Sequence, residues 1–151
     1  MGRMNNMKFS EVDGASWQEL QPYFDTCLIP YTGLTGGENP MEATAALERL
    51  RDFLDLAEIP FKGRIITYPA FQYGLQEDLS LLNEICKQIK STGFRHVIVM
   101  SADCGLPESD LPEVDLILAL PEFKGLEGKE LGAMIQAKIQ TLWKSEQSVK
   151  L

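Results

Sequence analysis

Four short runs in this 151-residue chain are apolar without interruption: residues 26–30 (TCLIP), 64–68 (RIITY), 96–101 (HVIVMS) and 114–120 (VDLILAL). A strand with one face in water alternates polar and apolar residues, whereas a continuous run suits a strand buried on both faces of a parallel sheet. The intervening segments carry the helical period instead. Over residues 41–58, Ala46, Leu47, Leu50, Phe53, Leu54 and Ala57 fall on one face; Asn39 suits the N-cap, Pro40 the first helical position and Glu42 the closing residue of a capping box. A second helix is predicted over 76–91, from the spacing of Leu79, Leu82, Cys86 and Ile89, with Gly93 placed for a left-handed C-terminal residue. A third is predicted over 129–145, carrying Leu131, Ile135, Ile139 and Leu142, and a short one begins at residues 16–19 (SWQE) and is limited by Pro22.

Strands alternating with helices require right-handed crossovers that place helices on both faces of the sheet. The expected fold is a single-domain α/β three-layer sandwich with a mostly parallel four-stranded sheet, over residues 9–151, preceded by a flexible extension at 1–8. The connection at 102–113 (ADCGLPESDLPE) has only the dozen or so residues a parallel return needs, and Pro107 and Pro112 leave room for no more than a short helical turn.

Charge and composition exclude several classes of function. With 22 acidic residues against 14 Lys and Arg, a net charge of −8 and no basic run, the chain is unsuited to nucleic acid or anionic membranes. No stretch approaches 18 consecutive apolar residues and the N-terminus lacks the apolar core of a secretory signal, so no membrane insertion and no export are expected. A single His forbids sites built from two or more histidines. Cys27, Cys86 and Cys104 are odd in number and form no C-x-x-C pair, which points to a reducing, cytoplasmic compartment. No cofactor is expected.

Ligands of open parallel sheets bind beyond the carboxyl ends of the strands. Residues 31–39 (YTGLTGGEN) follow the first strand there, and the amides around Thr32, Thr35, Gly36, Gly37 and Glu38 could hold an anion; the same glycines also serve a plain strand-to-helix turn. Asp103 and Cys104 end the third strand beside Ser101, with Glu108 and Asp110 following. These carboxylates could bind Mg²⁺ or serve as acid and base, or they form a solvated loop in which Asp103 caps a turn. A nucleophilic Cys104 needs a base, yet His96 lies about 25 Å away at the other end of the strand, at about 3.3 Å per residue. His96 is expected at the surface or an edge, and Cys27 and Cys86 in the core. Tyr68, Phe71 and Tyr73 in YPAFQYG form an aromatic cluster that either lines a pocket or packs over the sheet edge.

YPAFQYG, a helix, then STGFRHVIVMSADCG resembles the creatininase (creatinine amidohydrolase) family, which has a Pro-Pro-aromatic-Tyr-Gly segment, a helix, Gly-Phe-Arg, an apolar strand and Asn-Gly-His-Gly-Gly-Asn. Pro30, Pro69, Tyr73, Gly74, Gly93, Phe94, Arg95 and Gly105 match, over roughly residues 25–105. Phe61 to Arg64 and Gly93 to His96 are also similar to the framework of a family of short bacterial proteins of unknown function, which the resemblance makes a reduced relative of creatininase. Those enzymes act on cyclic amides with a two-metal centre whose ligands begin in Glu-Gln-His-Gly after the first strand. In this chain the Glu and His positions are Thr35 and Gly37, or Gly36 and Glu38 after a shift of one residue. The Asn, the His and the Gly after it in the later motif fall on Ser101, Asp103 and Cys104. A segment after Tyr-Gly and the late acidic ligand of the enzymes are also expected to be missing, so no catalytic or metal-ligating residue carries over.

Three readings follow. The first is a non-catalytic, creatininase-like protein with a degenerate metal site that works through a protein partner or as a homo-oligomer. The second is a residual Mg²⁺- or Mn²⁺-dependent amide hydrolase with carboxylate ligands such as Asp103, Glu108 and Glu38. The third is a small-anion-binding module using residues 32–38. Convergence of Thr35, Glu38, Tyr73 and Asp103 distinguishes them.

Overall fold

The computed structural model describes residues 7–74 and 78–149. Its strands are β1 (Met7–Lys8), β2 (Thr26–Leu34), β3 (Ile65–Thr67), β4 (Phe71–Tyr73), β5 (His96–Ser101) and β6 (Leu116–Ala119). Its α-helices are α1 (Gly14–Leu20), α2 (Pro40–Glu58), α3 (Ser80–Ser91) and α4 (Gly128–Val149). The sheet runs β1-β3-β2-β5-β6, with β4 joined to β2 beyond β3, and every pairing is parallel. This is the expected α/β three-layer architecture.

Alternation along the buried strands sends successive side chains to opposite faces and makes two cores. Cys27, Ile29, Ile66, Val97 and Val99 pack with Leu82, Cys86 and Ile89 of α3. Leu28, Ile65, Ile98, Met100 and Leu118 pack with Leu50, Phe53 and Leu54 of α2 and with Ile135 and Ile139 of α4. The expected capping of α2 is present in full: Asn39 Oδ1 accepts from the Glu42 amide at 2.8 Å and Glu42 Oε1 accepts from the Asn39 amide at 3.0 Å.

The four expected strands form, and two short ones join them. Thr67 ends β3, and the chain pairs with β2 again through Phe71 and Tyr73 as β4. The break has a chemical origin. The Tyr68 amide donates to Leu28 O at 2.8 Å, so the polar groups of Leu28 face β3, and by alternation so do those of Pro30. Pro30 has no N–H to offer, and Pro69 opposite has none either, so the ladder opens at residues 68–70 and resumes beyond. Pro30 therefore lies within β2, which continues to Leu34 beyond the run at 26–30.

Other boundaries shift for local reasons. The first helix starts at Gly14, because Asp13 rather than Ser16 provides the cap, accepting from the Ala15 amide at 3.1 Å. α3 begins at Ser80; residues 75–77, at the start of the helix predicted over 76–91, lie outside the described residues. Of the extension expected at 1–8, residues 1–6 also lie outside them, while Met7 and Lys8 pair with Ile66 and Thr67. The tight connection after β5 contains one short helical turn, Glu108–Asp110, as its two prolines require.

Candidate functional site

The carboxyl ends of β2 and β5 lie side by side, because Pro30 pairs with Met100, and the two strands connect onward in opposite directions, to β3 and to β6. That is the position of the switch-point crevice in open α/β sheets. Thr32 and Ser101 occupy the strand ends, with Thr35 to Glu38 and Asp103 to Cys104 in the loops that follow.

The loop after β2 holds an anion of its own. The Glu38 carboxylate accepts from the Thr35 amide at 3.0 Å, the Gly36 amide at 3.0 Å and Thr35 Oγ1 at 3.1 Å, and the Gly37 amide donates to Thr35 Oγ1 at 3.3 Å. These bonds, led by the Thr35 amide, keep the Glu38 carboxyl below its ordinary pKa. The amides that could hold an external anion are thus filled from within the loop, and the α2 N-terminus is closed by Asn39 and Glu42.

Asp103 turns towards α2. Its two oxygens take Arg49 Nε and Nη2 at 2.8 and 2.9 Å, a bidentate pair that occupies both carboxylate oxygens. Cys104 turns the other way, into the α3 side of the sheet, where its amide donates to Ser101 Oγ at 3.3 Å and its thiol lies 3.8 Å from Thr32 O. Burial raises the Cys104 pKa, so the thiol stays protonated at neutral pH. Tyr31 stacks on Phe71 with centroids 5.8 Å apart, and burial raises its pKa as well.

Two glycines make this packing possible. A Cβ on Gly33, whose φ is +85°, would lie 2.5 Å from Cys104 Sγ. One on Gly74 would run into the Tyr31 hydroxyl and sit 3.1 Å from Gly33 Cα, so β4 approaches β2 closely only because neither position has a side chain. Gly33 was legible only as one glycine of a glycine-rich loop; its role depends on a sulfur more than 70 positions later.

The predicted site residues therefore divide into separate groups. Thr35 with Glu38, and Ser101 with Cys104, are brought together; Asp103 is held by Arg49 on the α2 side. Tyr73 is 69% exposed on the α3 side. The aromatic cluster also divides, since Tyr68 packs edge-on against Phe9 at 4.8 Å while Phe71 meets Tyr31. Glu108 and Asp110 lie exposed in their own turn. Among the described residues no group of three His, Cys, Asp or Glu side chains is placed to hold a metal ion, and the engaged oxygens of Glu38 and Asp103 do not fit one.

His96 differs from expectation. It is 4% exposed rather than at the surface, because β5 lies inside the sheet with Thr26 opposite and the His96 amide donates to Asp25 O at 3.1 Å. Cys27 and Cys86 are fully buried as expected, and burial raises the Cys86 pKa to about 12.

The Arg49–Asp103 pair is largely solvated, with side-chain exposures of 53% and 31%. Replacing Arg49 with Ala is expected to shift the melting temperature by no more than about 3 °C in differential scanning calorimetry. A larger loss would mean that the pair organises the β5 loop.

No helix among the described residues is long and apolar enough to cross a membrane. A family model described as "Protein of unknown function (DUF2487)" matches residues 15–144. No curated protein and no solved structure is significantly similar to the chain.

Proposed function

We infer, for a chain that belongs to the DUF2487 family, a non-catalytic role exerted through contact with another protein chain, either a partner or a second copy. The observation that carries this reading is the engagement of the three side chains nearest the β2 and β5 ends: Glu38 by its own loop, Asp103 by Arg49 and Cys104 by burial. A hydrolytic centre needs carboxylates aimed at a common point, and these are held apart. The contact surface in this reading is the outer side of β4, where Phe71, Tyr73 and Leu81 line one shallow concavity of about 620 Å³. Tyr73 and Leu81 are 69% and 61% exposed, the kind of aromatic and aliphatic anchors that protein interfaces bury.

The creatininase-like scaffold belongs to the same proposal. Its support is positional: residues 35–38, matched to the enzymes' first ligands, and Asp103, matched to the His of their later motif, follow two adjacent strand ends. A bacterial cytoplasmic setting is part of it too, supported by three free cysteines.

Replacing Tyr73 and Leu81 together with Asp is expected to abolish self-association in light scattering, or capture of a cellular partner, without a lower melting temperature. Protein purified without chelator is expected to contain no stoichiometric Mg²⁺ or Mn²⁺ and to leave cyclic amides unhydrolysed. Stoichiometric metal with amide hydrolysis would overturn the reading, as would association indifferent to the double substitution.

A further inference from the structure

The break in the ladder along β2, where β3 ends and β4 has not yet begun, opens a cavity of about 350 Å³ between the sheet and the outer flank of α2. Pro30, Thr32 and Thr67 form its floor, Leu47, Leu50 and Leu54 one wall, and Phe9 with Tyr68 to Ala70 the other. It lies on the β3 side of β2, opposite the β5 side that forms the crevice, and Glu38, Asp103 and Cys104 do not line it.

Three observations distinguish it from a packing defect. Thr32 is 4% exposed and its hydroxyl oxygen, buried from solvent, has no hydrogen-bond partner among the described residues. Alternation from Leu28 and Pro30 places that side chain on the α2 side, where the cavity is. Buried hydroxyls are nearly always bonded, so an unbonded one on a cavity floor marks a position for a ligand's polar atom. Leu47, on the helix face expected to be buried, is 41% exposed, because beneath it lies the opening rather than a strand. Lastly, the charged side chains lining the cavity, Lys8 and Arg51, are both cationic.

Lys8 donates one N–H to Glu58 Oε2 at 3.0 Å, and Glu58 is 3% exposed behind the cavity, where it also accepts from Thr67 Oγ1 at 2.6 Å. An ammonium carries three donors, so two are left to point elsewhere. The Arg51 guanidinium lies 3.5 Å from the Asp52 carboxylate at the exposed rim.

We propose that this cavity is a binding site for a small amphiphilic carboxylate, with its apolar body between the leucine wall and the two prolines, its carboxylate between Lys8 and Arg51, and a polar atom on Thr32 Oγ1. The volume lies at the lower end of the roughly 300–1,000 Å³ typical of small-molecule sites, which suits an acid with one ring or a short branched chain.

Phenylacetate and its neutral isostere phenylacetamide are the probes, titrated into the full chain by calorimetry with amide chemical shifts followed in parallel. Phenylacetate is expected to saturate with a Kd of about 0.1–1 mM, to perturb amides at residues 30–32, 47–54 and 67–70, and to bind at least about tenfold more tightly than the amide. Thr32→Val keeps shape and removes the hydroxyl; affinity should fall about three- to tenfold while the melting temperature stays level or rises. Arg51→Gln, at the exposed rim, should weaken the acid and leave the amide unchanged. The proposal is overturned by the absence of saturable binding up to 10 mM, roughly the weak limit for such a ligand, by equal affinity for acid and amide, or by indifference to both substitutions. Because Tyr73 and Leu81 line a different surface, the outcome is independent of the association experiment.

Discussion

Replacing Arg64 with Ala should lower stability at neutral pH by about 3 kcal/mol, near the lower end of what loss of one partner from a buried ion pair costs, since the guanidinium is 38% exposed. Arg64 precedes β3 and donates Nε and Nη2 to the two oxygens of Asp25, each at 2.9 Å. Its guanidinium carbon lies 3.8 Å from the centroid of Trp143 on α4. Trp143 Nε1 donates to Thr26 Oγ1 at 2.9 Å, and Thr26 Oγ1 donates to Asp25 Oδ1 at 2.9 Å. The Asp25 backbone carbonyl takes the amides of Arg95 and His96. The Arg64 side chain thus joins the starts of β2 and β3 to the last helix, and its loss leaves Asp25 half-buried without its countercharge.

The pH dependence follows from Asp25. Burial pushes its pKa up, but the hydrogen bonds from Arg64 and Thr26 and the charges of Arg64 and His96 outweigh it, so the folded-state value lies below the usual one. A carboxyl lowered on folding contributes stability that is present above its unfolded pKa of about 4 and is lost as pH falls through the lower folded value. Without Arg64 the burial effect prevails and that contribution disappears. The difference between wild type and Arg64→Ala in urea denaturation should therefore be full at pH 7 and narrow below about pH 4. Arg64→Lys, which retains charge but not the two-pronged geometry, should recover only part of it. A difference that is the same at all pH values would assign the effect to packing on Trp143 instead.

Gly33→Ala should be comparably damaging, at about 3 kcal/mol, from two separable causes. A side chain at φ +85° is strained by about 1–2 kcal/mol, and the new methyl would meet Cys104 Sγ at 2.5 Å and Tyr31 Cε1 at 3.3 Å. Overpacking of that kind adds about 1–2 kcal/mol. Cys104→Ala removes the sulfur but not the backbone strain, so the double variant should recover about half of the loss, visible as coupling in a double-mutant cycle. Gly36→Ala is the control: its φ is +96° but nothing lies within 4 Å, so only the strain is expected. Additivity of Gly33→Ala and Cys104→Ala would show that the loop relaxes away from the sulfur.

Much of the fold is legible along the chain because burial on two faces leaves a one-dimensional trace. The four continuous apolar runs, the α2 capping box at Asn39 and Glu42, and the Leu79-Leu82-Cys86-Ile89 spacing each record a local requirement. β4 left no such trace. Phe71-Gln72-Tyr73 is three residues long and largely exposed, and it pairs with β2 because Pro30 and Pro69 interrupt the ladder and Gly33 and Gly74 let the strands approach.

The candidate site was legible as a set of residue types at strand ends, but not as an arrangement. Asp103 as a ligand and Asp103 as the partner of Arg49 read identically in sequence, because 54 residues separate the pair and only the packing of α2 over β5 brings them together. Glu38 likewise reads as a free acid until the loop closes around it.

The sequence by itself determined the layers: apolar runs and helical periods are local consequences of which face must leave water. The tertiary structure decided which polar groups meet, since the turn after Ser101 breaks the alternation of β5 and sends Asp103 to Arg49 on the α2 side of the sheet and Cys104 to Gly33 on the other. It also decided that the opening lies at Thr32 beside two prolines rather than among the acids, because a cavity is set by where neighbouring chains fail to pair, and pairing is a property of two strands at once.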